Sequence, residues 1–246
     1  MELPERLATL RALAADGSAF PPGQLAALAV ETDLPLADLY AAAGREVPAE
    51  LLPPERDGRT LRDFAHLVCY CDHRQSAAIE AYIRALPPVP DAPRRAVPLP
   101  FSPWMSEAEV DAAEHGFAAT LLAMIRNRGF SLHTLPFMGL SRSTVLDMVR
   151  SWEPNEHRKY QLLGLTGGLG WPLPELFALA GEPWSPGFRP HSSCRHAGRV
   201  YAAAAHLTTE QLTAAAAEVA RLNTALPRGV WQPEYPDRTG ECPDFA

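Results

Sequence analysis

The sequence predicts an all-α protein made of two helical halves. Three observations carry that prediction. No alternating β-branched run of useful length occurs in the chain, and such runs are the mark of strands. Apolar residues recur instead at helical spacing. A two-helix block at 25–44 returns without gaps at 162–181.

The first helix is predicted from Leu3, Leu7, Leu10 and Leu13. The repeated block follows. LAALAVETDLPLADLYAAAG (25–44) aligns with LLGLTGGLGWPLPELFALAG (162–181), with identities that include Leu25/Leu162, Leu28/Leu165, Leu36/Leu173, Leu39/Leu176 and Ala43/Ala180. Each copy reads as helix, turn, helix. Pro35 and Pro172 stand near the start of the second helix, where a missing N–H costs little. Gly44 and Gly181 stand where a left-handed residue ends it. A weaker match at offset 140 pairs 66–87 with 206–227. Duplication accounts for the first match better than chance.

Pro87, Pro88, Pro90, Pro93, Pro98, Pro100 and Pro103 crowd one short stretch, so an extended connector is expected over 87–103. It divides the chain into a helical half, 1–86, and a second at 104–227, with an irregular tail at 228–246 that Trp231 and Tyr235 would dock. In the second half, Phe117, Leu121, Met124 and Ile125 predict a helix over 117–128, ended by Gly129. Tyr201, Ala205, Leu212 and Val219 extend the helical pattern towards the end.

Composition narrows the function. With 47% hydrophobic and 21% charged residues the chain buries a core. Four cysteines exclude a small disulfide-stapled scaffold. No run approaches the ~18 apolar residues of a membrane span, and the opening MELPERLATLRAL lacks a basic-then-apolar signal layout. A cytoplasmic protein with no membrane partner is expected. The net charge of −7 excludes a nucleic-acid coat over the whole surface, while leaving room for a local basic patch. Lys159 is the single lysine among 22 basic residues, a bias typical of GC-rich coding, so arginine abundance itself weighs little.

The stretch 117–181 carries a mechanism. Ser131 is an N-cap candidate for a short helix over 132–137, Gly139 supplies a turn, and Ser141 caps a third helix over 141–151. Leu140, Val145 and Met148 give that helix an apolar face, with Arg142, Ser143 and Arg150 on the other. Two short helices around a glycine turn, with a polar start to the second, suit a major groove about 12 Å wide. From 117 to 161 six basic residues (Arg126, Arg128, Arg142, Arg150, Arg158, Lys159) meet three acidic ones, a segregation of charge that suits DNA.

On these residues, and on the blocks Gly129-Phe130-Ser131-Leu132 and Gly139-Leu140-Ser141-Arg142-Ser143-Thr144-Val145, the segment resembles the lambda-repressor-like, or Xre-type, helix-turn-helix family. The likeness spans 117–181 in five-helix order, and the whole chain is similar to large actinobacterial Xre-type regulators. It implies a DNA-binding transcriptional regulator. Arg142 and Ser143 would meet base edges beside Ser141 and Thr144, and Ser131, His133, Arg150, Arg158 and Lys159 would meet phosphates. Pro136 and Asp147 depart from the family pattern, as does Val149-Arg150-Ser151-Trp152 after the reading helix.

A homodimer on a two-part site is expected, because one copy makes few phosphate contacts. The amino-terminal copy would present Leu36, Ala37, Asp38 and Leu39, with no positive charge. It is read as a degenerate copy for packing or for a protein partner, through 25–44 or the helices after Thr60. The alternative for the whole chain is a helical interaction scaffold that does not bind DNA.

Other chemistry is weaker. His66, Cys69, Cys71 and His73 cluster, with His66, Cys69 and His73 on one face of a single helix, and His191, Cys194 and His196 lie far along the chain. Neither has the paired spacing of a zinc site, so no metal or cofactor is expected. Gly167-Gly168-Leu169-Gly170 has no preceding strand and no Gly-Lys-Ser/Thr, and reads as a helix end with a turn. No nucleophile elbow or His-Glu-x-x-His pair occurs, so an enzyme is not expected.

Overall fold

The computed structural model describes residues 1–94, 116–130, 162, 168–185 and 192–224. Among them the regular structure is helical, with one isolated antiparallel bridge between Pro54 and Arg94.

Helix α1 (Leu3–Ala15) has proline in its first turn and buries Leu10 and Leu13. Helix α2 (Pro22–Thr32) starts on proline and ends at Asp33, which is left-handed at φ 53°; a short polar side chain tolerates that conformation. Helix α3 (Leu36–Ala42) follows extended Pro35. Gly44, at φ 62°, stops it, and Arg45 N–H closes back on the Tyr40 carbonyl at 3.0 Å. Asp57 caps α4 (Gly58–Val68) by accepting from Thr60 N–H. In α5 (His73–Ala85), Asp72 and Gln75 exchange reciprocal cap bonds.

In the second half α6 (Gly116–Asn127) is ended by Gly129 at φ 70°, as the sequence predicts. Leu162 and residues 168–169 are helical, and Gly170 turns the chain at φ 72°. Helix α7 (Leu173–Leu179) follows extended Pro172. Gly181 stops it at φ 74°, and Glu182 N–H closes on the Phe177 carbonyl at 2.9 Å. Helix α8 (Ser192–Ala203) passes through a 3-10 turn, Ala204–His206, into α9 (Thr209–Thr224). Thr208 and Gln211 exchange the same two cap bonds as Asp72 and Gln75.

Two readings change here. The alignment at offset 140 is displaced by one helical turn. The cap pairs Asp72/Gln75 and Thr208/Gln211 are related by an offset of 136, and at that offset the buried residues also coincide, Cys71 with Leu207 and Ile83 with Val219. Alanine-rich helices match nearly as well one turn out of register. The histidine–cysteine cluster is not on one helix: α4 ends at Val68 and α5 begins only after Asp72.

The halves pack reciprocally. Helix α1 lies on α7 and α6 lies on α3. Helix α4 lies on α9 and α8 lies on α5, while α5 also meets α9 and α4 meets α8. One hydrophobic cluster runs from Leu10 and Leu13 through Phe64 and Ile79 to Met124, Trp171, Tyr201 and Val219. Each large side chain buried there contributes about 1.5–3 kcal/mol. The start of the proline-rich stretch is docked: Glu55 N–H donates to the Pro93 carbonyl at 2.6 Å, and Arg94 Nη1 to the Leu52 carbonyl at 2.7 Å.

Candidate nucleic-acid interface

The nine candidate DNA-contacting residues Ser131, His133, Ser141, Arg142, Ser143, Thr144, Arg150, Arg158 and Lys159 all lie outside the described residues. So do His191, Trp231, Tyr235 and residues 95–103 of the connector. The described residues give the frame on either side of 131–161.

The frame is built around one carboxylate. Asp38, on α3, is fully buried and accepts four hydrogen bonds. Asn127 Nδ2 and Arg128 Nη1 donate to Oδ1 at 3.0 and 3.1 Å, and Arg128 Nη2 and Trp171 Nε1 donate to Oδ2 at 2.7 and 2.8 Å. That exhausts its acceptor capacity in this environment. Arg128, itself buried, also donates to the carbonyls of Met124 and Leu169. Asn127 and Arg128 stand just before Ser131, whereas Leu169 and Trp171 stand just after Gly168. The amino-terminal half therefore ties together the two ends of the segment that carries the candidate motif.

A second tie is Arg56. Its buried guanidinium donates from Nη1 to the Ala204 carbonyl at 2.9 Å and from Nη2 to the Arg128 carbonyl at 2.8 Å. Burial lowers its pKa to about 10. Gly129 leaves room for it, since a Cβ there would sit 1.8 Å from Arg56 Nη2. Phe130 meets Tyr201 edge to face at 5.1 Å, and the Tyr201 hydroxyl donates to the Ala65 carbonyl at 3.0 Å. These groups bind the end of α6 to α4 and α8.

Glu175 stands in α7 at the register that Asp38 has in α3. Glu175, on α7, is also buried, and Arg6 of α1 reaches it at 2.6 Å. Sequence reasoning placed Asp38 on a presented face and did not identify Arg128, Asn127 or Trp171 as its surroundings, nor Arg56 as a tie between the halves. The available signal was an acidic residue at the same register of two otherwise apolar helices. Arg128 is spent on Asp38, so it leaves the positive set counted for DNA.

Of the segments read as candidates for a protein partner, α3 packs on α6, and α4 and α5 pack on α8 and α9. Cys69 Sγ lies 3.0 Å from the His66 carbonyl, and Cys71 is buried beside Asn223, its thiol pushed up to about 12 by burial. Among the described residues no three His, Cys, Asp or Glu side chains converge as metal ligands, and no helix is long and apolar enough to cross a membrane.

Compared with known proteins, the chain matches no family model, no curated protein and no solved structure.

Proposed function

We propose that the chain is a sequence-specific DNA-binding transcriptional regulator of lambda-repressor-like type, whose helix 141–151 enters the major groove. Arg142 and Ser143 read base edges beside Ser141 and Thr144, and Ser131, His133, Arg150, Arg158 and Lys159 hold phosphates. One observation carries the reading. The halves share helix ends, caps and buried carboxylates at offsets of 136 and 137, yet they differ between the first helix and the repeated block. There the amino-terminal half has the short 16–21, and the second half has 131–161. The part that distinguishes the halves is the part with the GLSRSTV motif.

These shared positions also support an internal duplication in which the first copy lacks the reading pair. A second reading, a helical scaffold that holds a protein partner, is favoured by the loss of Arg128 to Asp38. Selection of duplexes from a random pool at moderate salt separates the two. A regulator enriches a defined site and loses affinity steeply as salt rises. A scaffold enriches none, even at low salt.

A further inference from the structure

Among the described residues, the main helix contacts between the halves come in reciprocal pairs. Helix α1 on α7 is answered by α6 on α3, and α4 on α9 by α8 on α5, while the α5–α9 and α4–α8 contacts pair like with like. This is the pattern of an isologous dimer, in which the same patch on each subunit meets its own copy's complement. Here it occurs inside one chain.

Buried ion pairs also join the halves. Asp38 of the first half is met by Arg128 of the second, and Glu175 of the second by Arg6 of the first. Each carboxylate thus receives an arginine from the opposite half, Arg6 from the start of α1 and Arg128 from just past the end of α6. The apolar faces of α4, α5, α8 and α9 are consumed in the same pairing, with Phe64, Ile79, Ile83, Val200, Tyr201 and Val219 nearly inaccessible. The faces a two-fold partner would take are therefore already taken.

We infer that the amino-terminal half stands in for a second subunit, so that one chain alone engages a duplex carrying a single, unrepeated recognition half-site. This rests on the DNA reading proposed above, and it replaces the homodimer on a two-part site with a closed, single-chain pair. Two observations support it: among the described residues the apolar faces of α4, α5, α8 and α9 are used within the chain, and in sequence the two halves do not carry equal reading segments.

The test combines a mass with a sequence pattern. The full chain is measured alone by native mass spectrometry at micromolar concentration, then with the duplex enriched from a random pool. The expected results are a monomer alone, a complex of one chain per duplex, and an enriched site without two-fold symmetry. Joining two copies of that site as an inverted repeat should then leave affinity per site within ~2-fold. A dimer alone, or two chains on an inverted repeat that tightens binding ~100-fold or more, overturns the inference while leaving the DNA reading intact. If no duplex is enriched, the DNA reading falls and the inference about the duplex falls with it. The mass of the free chain still decides whether the pair is closed.

Discussion

Asp38 and Glu175 occupy the same register of α3 and α7, and each is buried against an arginine from the opposite half of the chain. The pairing means that neither half carries its charges into the core unaided. A buried carboxylate without its partner is costly, which makes the halves mutually dependent.

Removing one partner should therefore be severe. Asp38→Ala strands Arg128, Asn127 and Trp171 Nε1, and urea unfolding should show a loss of about 3–5 kcal/mol. Asp38→Leu combined with Arg128→Met removes both charges and should regain at least half of that loss. A double variant as unstable as the single one would show that the pair is not the cause.

Two of the helix-stopping glycines, Gly44 and Gly129, should respond differently to alanine. Gly44 has a left-handed φ of 62° and open space around it, so Gly44→Ala should cost about 1–2 kcal/mol from backbone strain alone. Gly129→Ala adds a Cβ 1.8 Å from Arg56 Nη2. It must push the guanidinium away from the Arg128 and Ala204 carbonyls, adding about 1–3 kcal/mol for buried groups left unpaired. Equal losses in thermal unfolding would remove the role assigned to Arg56.

Much of the frame was legible in the sequence. The starts and stops of α3 and α7 follow from Pro35, Pro172, Gly44 and Gly181, since proline and glycine act through local backbone geometry. The end of α6 at Gly129 follows likewise. What was not legible depends on contacts distant in sequence. Asp38 reads as an exposed acidic residue until α6 and Trp171 are brought over it. The helical pattern of Tyr201, Ala205, Leu212 and Val219 is divided by the turn at 204–208, where the Thr208–Gln211 cap starts a new helix. The cluster around Cys69 failed for the same reason, at the Asp72–Gln75 cap. The candidate contact residues 131–159 fall outside the described residues.

His206 supplies a dependence on pH. Burial, with a smaller effect of Arg56, Arg94 and Arg84, holds its pKa below the ordinary histidine value. The unfolded chain then binds a proton at His206 more readily than the folded one. Stability should fall as pH drops from 7 towards 5, through the window between the ordinary and the lowered pKa. His206→Gln should flatten that slope in unfolding curves taken at several pH values. An unchanged slope would assign the effect to other groups.

The central claim is that the 141–151 helix reads DNA, and fluorescence anisotropy with Arg142→Ala on the enriched duplex tests it most directly. The variant should melt like the parent chain, lose about 1–3 kcal/mol of binding to that duplex, and prefer it less over a scrambled one. A correctly folded Arg142→Ala chain with unaltered affinity and unaltered preference would contradict the account.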